Sequence, residues 1–119
     1  MHATPADPLF TYVPYDAPLD TWQAMTEAAR RPSLLVLGHT HEQFVRTVDG
    51  TTIVNPGSVG LPKDGDAKAA YAVIEDGEVT LRRTAYDIRE AARRINALPL
   101  SANDRRRLTT LIYTATLPS

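Results

Sequence analysis

The chain has no cysteine, which excludes a disulfide scaffold and every thiolate metal site and fits a reducing cytosol. It has almost no net charge. Thirteen Lys and Arg stand against fourteen Asp and Glu, leaving −1, so nothing electrostatic points to nucleic acid or an anionic membrane as a partner. Long hydrophobic runs are missing too. The longest, over residues 69–74, is far too short to span a bilayer, and no basic segment leading into an apolar one marks a secretory signal. These absences set the expectation of a cytoplasmic protein with no membrane or nucleic-acid partner. Histidine is also scarce, with three in all, and two of them share one short stretch. The 119 residues suffice for one domain with a buried core.

Pro5, Pro8, Pro14 and Pro18 mark a loop at the start. A helix follows, with Asp20 as the expected N-cap and Gln23 at the capping-box position. Leu19, Trp22, Met25, Ala28 and Ala29 would form its apolar face, and Pro32 would end it. Leu34 to Leu37 reads as a short strand buried on both faces, of the parallel type. Asp49-Gly50 and Asp76-Gly77 are two-residue hairpin signals; they join 43–48 to 51–54 and 70–75 to 79–86. Asp87 to Glu90 is a capping box opening a helix with the stripe Ile88, Ala91, Ala92, Ile95 and Leu98, and Ser101 starts a last helix. The clusters Arg93-Arg94 and Arg105 to Arg107, which lack interleaved aromatics, read as solvated helix faces.

The chemistry concentrates at Gly38-His39-Thr40-His41, after the apolar strand. In an extended segment residues i and i+2 face one side, so His39 and His41 would converge, with Gly38 permitting a turn before them. Imidazole is the commonest protein metal ligand. A bare His-x-His pair also occurs as ordinary surface histidines, and both readings are open on spacing alone. The loop from Asn55 to Asp66 is dense in turn residues, and long loops without regular structure are often functional.

Gly38-His39-Thr40-His41, a short hairpin and then Asn55-Pro56-Gly57-Ser58 resemble the C-terminal half of the calcineurin-like metallophosphoesterases. The likeness continues through Val59 to Asp66 into the strand Ala70 to Ile74, where the small bacterial and archaeal phosphodiesterases look similar. It also includes His2-Ala3-Thr4-Pro5 upstream. The resemblance implies an α+β fold, the C-terminal half of a four-layer α/β/β/α sandwich, over residues 1–86, with 87–119 as a helical extension. It implies that His2 and His39 ligate one metal of a binuclear centre and His41 the other. Phosphoester hydrolysis would then proceed by attack of a metal-bound hydroxide, with two divalent ions (Mn, Fe or Zn) as cofactors. Lys63 matches a basic position that would meet a phosphoester substrate, though an exposed loop lysine reads the same way.

The family's first half supplies an Asp-x-His motif, a Gly-Asp motif and a Gly-Asn-His motif with the general acid. None of these precedes His2, and no residue here is assigned as catalytic. The expectation is therefore the C-terminal part of such an enzyme, arising from a truncation, a misplaced start or a split gene, and inactive or weakly active alone. The alternative is a non-catalytic module that pairs with a complementing chain carrying the N-terminal motifs, or with a second copy of itself.

Overall fold

The computed structural model describes residues 1–117, so the expected extension over 87–119 is seen through Leu117 and its last two residues lie outside the described ones. The element order is α1 (Leu19–Ala28), β1 (Leu34–Val36), β2 (Gln43–Val48), β3 (Thr51–Pro56), β4 (Ala69–Glu75), β5 (Glu78–Thr84), α2 (Ile88–Asn96) and α3 (Ala102–Thr114). Both hairpins form where their turn residues demand. Asp49 and Gly50 have φ 48° and 81°, and Asp76 and Gly77 have 49° and 84°, the positive pairs of a type I′ turn.

The strands make two sheets. One has the order β1-β3-β2, with β1 parallel and β2 antiparallel to β3; the other is the β4-β5 hairpin. The core lies between α1 and the first sheet, where Trp22, Met25, Leu35, Leu37, Phe44, Val48 and Ile53 pack together. Only one face of β1 is covered. Leu35 is buried but Val36 is 36% exposed, so the expectation of a strand buried on both faces is corrected. The central strand is β3 instead, with Ile53, Val54 and Asn55 all buried.

The entry to α1 also differs from expectation. Pro18 is the N-cap, without a side-chain cap, and Asp20 sits inside the first turn. Proline's preset φ suits the start of a helix, and the Pro18 carbonyl already accepts the Thr21 N–H at 3.1 Å, so the helix starts ahead of Asp20. Leu19 consequently points outward and is 57% exposed. The helix ends before Pro32 is reached. Arg30 donates its N–H to the Glu27 carbonyl and Arg31 to the Thr26 carbonyl, a Schellman closure, made here by two arginines at φ 64° and 49°.

At the other end, Asp87 caps α2 by accepting the Glu90 N–H at 2.9 Å. Glu90 turns its carboxylate to Arg93 and Arg94, at 2.7 and 2.8 Å, rather than closing the capping box. Ser101 caps α3 through the Asp104 N–H. The carbonyl of Ala115, just after α3, accepts the Gly65 N–H at 3.0 Å and joins the helical end to the long loop.

Candidate functional site

His2 is tied down although it stands next to the first residue. The Met1 nitrogen donates to the Val36 carbonyl at 2.8 Å, and the Gly38 N–H donates to the His2 carbonyl at 2.8 Å. The first two residues thus lie along the open edge of β1, with Ala3 and Thr4 buried beside them. Here Gly38 serves close approach rather than a turn: a Cβ at this position would stand 3.3 Å from the His2 carbonyl oxygen.

The segment after Gly38 is not extended. His39 and His41 both adopt left-handed backbone, at φ 68° and 61°, which costs about 1–3 kcal/mol at a non-glycine residue. Asn55, 1% exposed, over-determines that conformation. Its Nδ2 donates to the Gly38 carbonyl and the Thr40 hydroxyl, both at 3.0 Å. Its Oδ1 accepts the Gly57 N–H, also at 3.0 Å, turning the chain into the long loop. In the sequence Asn55 stands out only as part of the Asn55 to Ser58 motif; an amide closing an apolar strand, just before Pro56 and Gly57, is the available signal.

Each imidazole has identifiable partners, and carbonyl oxygens only accept. His41 Nδ1 stands 2.8 Å from the Leu61 carbonyl, so the neutral ring carries its proton on Nδ1 and leaves Nε2 bare. His39 Nε2 stands 3.2 Å from the Phe10 carbonyl, so that nitrogen carries the proton and Nδ1 is bare. His2 Nε2 then donates to His39 Nδ1 at 2.8 Å. An outer N–H held by a backbone carbonyl is the arrangement that orients a ligating histidine; His39 and His41 have it, His41 with Nε2 open and His39 with an unprotonated Nδ1 turned to His2. Two imidazole nitrogens on one ion at about 2.0–2.1 Å are separated by about 3 Å, close to the His2–His39 spacing, once the His2 proton moves to its other nitrogen. The donor set thus fits imidazole ligation. It stops short of a full centre, because among the described residues no group of three or more His, Asp or Glu side chains converges to hold an ion.

The long loop encloses His41. Besides the Leu61 contact, the Lys63 N–H donates to the His41 carbonyl at 3.1 Å, and Asp64 accepts the Gln43 N–H at 2.8 Å. Lys63 is therefore fixed beside His41 through its backbone, and among the described residues its ammonium enters no ion pair. Burial pushes the Asp64 carboxyl up, but its hydrogen bonds to Arg83 and to the Gln43 N–H outweigh this and hold it below the ordinary carboxylate range. Tyr12, which no motif in the sequence marks out, packs edge-on 5.6 Å from the His39 ring. Its hydroxyl donates to the Thr40 carbonyl at 3.4 Å. Burial and the nearby Glu42 carboxylate push this phenol up, so it stays a neutral donor. A groove of about 530 Å³ along α2 and α3, lined by Asn96, Arg105 and Tyr113 among others, contains none of these residues.

The model of the calcineurin-like phosphoesterase superfamily domain matches residues 9–77, the span holding His39, His41, Asn55 and the loop to Asp66. The chain belongs to this superfamily. An uncharacterized protein of Methanocaldococcus jannaschii is 34% identical over 56% of this chain and 35% of its own length. The crystal structure of a metallophosphoesterase from Sphaerobacter thermophilus superposes with TM-score 0.77 at 25% identity, over 97% of this chain and 53% of that one. That of a hypothetical protein from Pyrococcus horikoshii gives TM-score 0.81 at 18% identity, over 98% of this chain and 46% of that one, a likeness of fold. The chain spans about half the length of these two structures and about a third of the Methanocaldococcus jannaschii relative. No helix among the described residues is long and apolar enough to cross a membrane.

Proposed function

We propose that this chain carries the imidazole side of a divalent-metal centre in a phosphoester hydrolase. The observation that carries the reading is the hydrogen-bond state of the histidines. His39 and His41 each have one ring N–H anchored on a backbone carbonyl and the opposite nitrogen unprotonated, and His2 Nε2 meets that nitrogen of His39 at 2.8 Å. His2 Nε2 and His39 Nδ1 would hold one ion and His41 Nε2 a second, the ions being Mn, Fe or Zn. When bound, such ions supply activation of water and neutralisation of phosphoryl charge. The chain's own residues bind and orient: Lys63 brings a point charge toward the substrate phosphate from the loop against His41, and Tyr12 keeps a neutral hydroxyl beside His39.

Three imidazoles bring no negative charge, so the chain by itself should bind ions weakly and turn over a phosphoester slowly. A second reading follows from the same shortage. The chain complements a partner, either another polypeptide or a second copy, that contributes carboxylates to the centre.

Titration of the chain with Zn2+ and Mn2+, with calorimetric detection, tests the reading. His39→Ala and His41→Ala should each weaken binding by at least about tenfold, the scale on which even outer-shell partners of ligands act. Unchanged affinity in both variants would overturn it. Rapid Mn2+-dependent hydrolysis of bis(p-nitrophenyl) phosphate by the chain alone would show that no complementing carboxylate is needed.

A further inference from the structure

One guanidinium gathers three segments of this chain. Arg83, on β5, donates from Nε to Gln43 Oε1 at 2.9 Å, from Nη1 to the Asp66 carbonyl at 2.9 Å and from Nη2 to Asp64 Oδ2. The same Asp64 oxygen accepts the Gln43 backbone N–H, two residues beyond His41. Gln43 in turn donates from Nε2 to the Tyr71 and Arg82 carbonyls at 3.0 and 2.9 Å, so the β4-β5 hairpin, the start of β2 and the loop are closed into one network. The Arg83 and Asp64 side chains are only 19% and 17% exposed, which sets this charge-assisted pair apart from surface ion pairs of little worth. The geometry calls for a planar fork of donors; a lysine ammonium reaches one of these acceptors but not all three.

The network bears on His41. Residues 61–66 run between it and the imidazole: the Leu61 carbonyl accepts the His41 Nδ1–H, and the Lys63 N–H donates to the His41 carbonyl. A free neutral imidazole prefers its proton on Nε2, so the opposite state must be imposed by a well-placed acceptor. Without Arg83, the Asp64 carboxylate would stand largely desolvated with no cation against it, and the loop would have to shift outward to hydrate it. That shift would draw the Leu61 carbonyl away from His41.

We propose that Arg83 is a positioning residue for His41: by gripping Asp64, Asp66 and Gln43 it pins the loop whose Leu61 carbonyl keeps the His41 proton on Nδ1 and its Nε2 open. The value of an open Nε2 for ligation rests on the metal-centre reading above; the control of the ring by Arg83 does not.

The test is a long-range 1H–15N correlation spectrum of the ring nitrogens, recorded on the whole chain at a pH where the imidazoles are neutral. In the wild type His41 should show a protonated Nδ1 and an unprotonated Nε2. Arg83→Lys, Arg83→Met and Asp64→Asn should each move His41 to Nε2–H or to an averaged pattern, while His39, anchored on the Phe10 carbonyl, keeps its own pattern as an internal control. A wild-type His41 pattern in Arg83→Lys and Asp64→Asn overturns the proposal. Should Arg83→Met lose its dispersed amide spectrum, the decision rests on the other two variants, which retain a charged or isosteric side chain. Adding Zn2+ to the same samples separates the two readings. A His41 ring that follows Arg83 yet shows no Zn2+-induced shift supports the positioning role and overturns the ligand role.

Discussion

Asn55 donates from Nδ2 to the Thr40 hydroxyl at 3.0 Å and so ties the central strand to the residue between the two clustered histidines. This bond, with its partner to the Gly38 carbonyl, holds two left-handed histidines in place without a glycine at either position. It also joins the loop's geometry to the histidines, because the same amide accepts the Gly57 N–H.

Asn55→Ala removes all three bonds from a site that is 1% exposed. Leaving buried groups unpaired should cost about 2–4 kcal/mol of stability. Urea unfolding followed by the fluorescence of Trp22, the sole tryptophan, measures it. A loss below about 1 kcal/mol, in the range of a single ordinary hydrogen bond, would contradict the role assigned to Asn55.

Gly57 and Gly50 make a matched pair. Both have positive φ, 82° and 81°, but a Cβ at Gly57 would stand 2.8 Å from the Ala70 Cβ and 3.0 Å from the Gln43 Cβ, whereas nothing lies within 4 Å at Gly50. Gly50→Ala should therefore cost about 1 kcal/mol from backbone conformation alone. Gly57→Ala adds an overpacking cost of about 1–3 kcal/mol. Equal losses in the two variants, measured by the same unfolding experiment, would show that the sheet and loop do not meet at Gly57.

Acid should reveal the Asp64–Arg83 pair. The folded Asp64 carboxyl is held below its ordinary value of 3.8, so the unfolded chain binds this proton more readily. Its contribution is thus fully present above the ordinary carboxylate range and is lost as pH falls through the depressed folded value. The stability gap between wild type and Asp64→Asn should be largest at neutral pH and should narrow below pH ~4. Glu90, drawn down to about 2 first by Arg93 and then by Arg94, follows the same sign. Its two arginine partners are 71% and 77% exposed, however, so added salt should weaken its effect and leave most of that of Asp64. A gap that widens on acidification would reverse the assignment.

The parts of this fold that were legible in the residues are those decided within a few positions of the chain. Asp49-Gly50 and Asp76-Gly77 bend the backbone as they would in any context, and Asp87 and Ser101 cap the helices that follow them. Trp22 and Met25 were readable as core because helical spacing alone puts them on one face. Where two local signals competed, the prior one in the chain prevailed, as Pro18 did over Asp20.

Local sequence was enough for the two hairpins, the Asp87 and Ser101 caps, the Trp22 and Met25 face of α1 and the presence of His2, His39 and His41 beside a turn-rich loop. It also carried the likeness that pointed to the superfamily. The backbone state of His39 and His41, the nitrogen on which each ring holds its proton, and the placing of Asn55, Tyr12 and Arg83 around them came from the folded arrangement alone. The physical reason is distance along the chain. A tautomer is set by whichever acceptor lies within about 3 Å, and for His41 that acceptor is the Leu61 carbonyl, 20 residues away. The arginine whose network holds that loop bonds to Gln43 across 40 residues, and no local propensity encodes such a meeting.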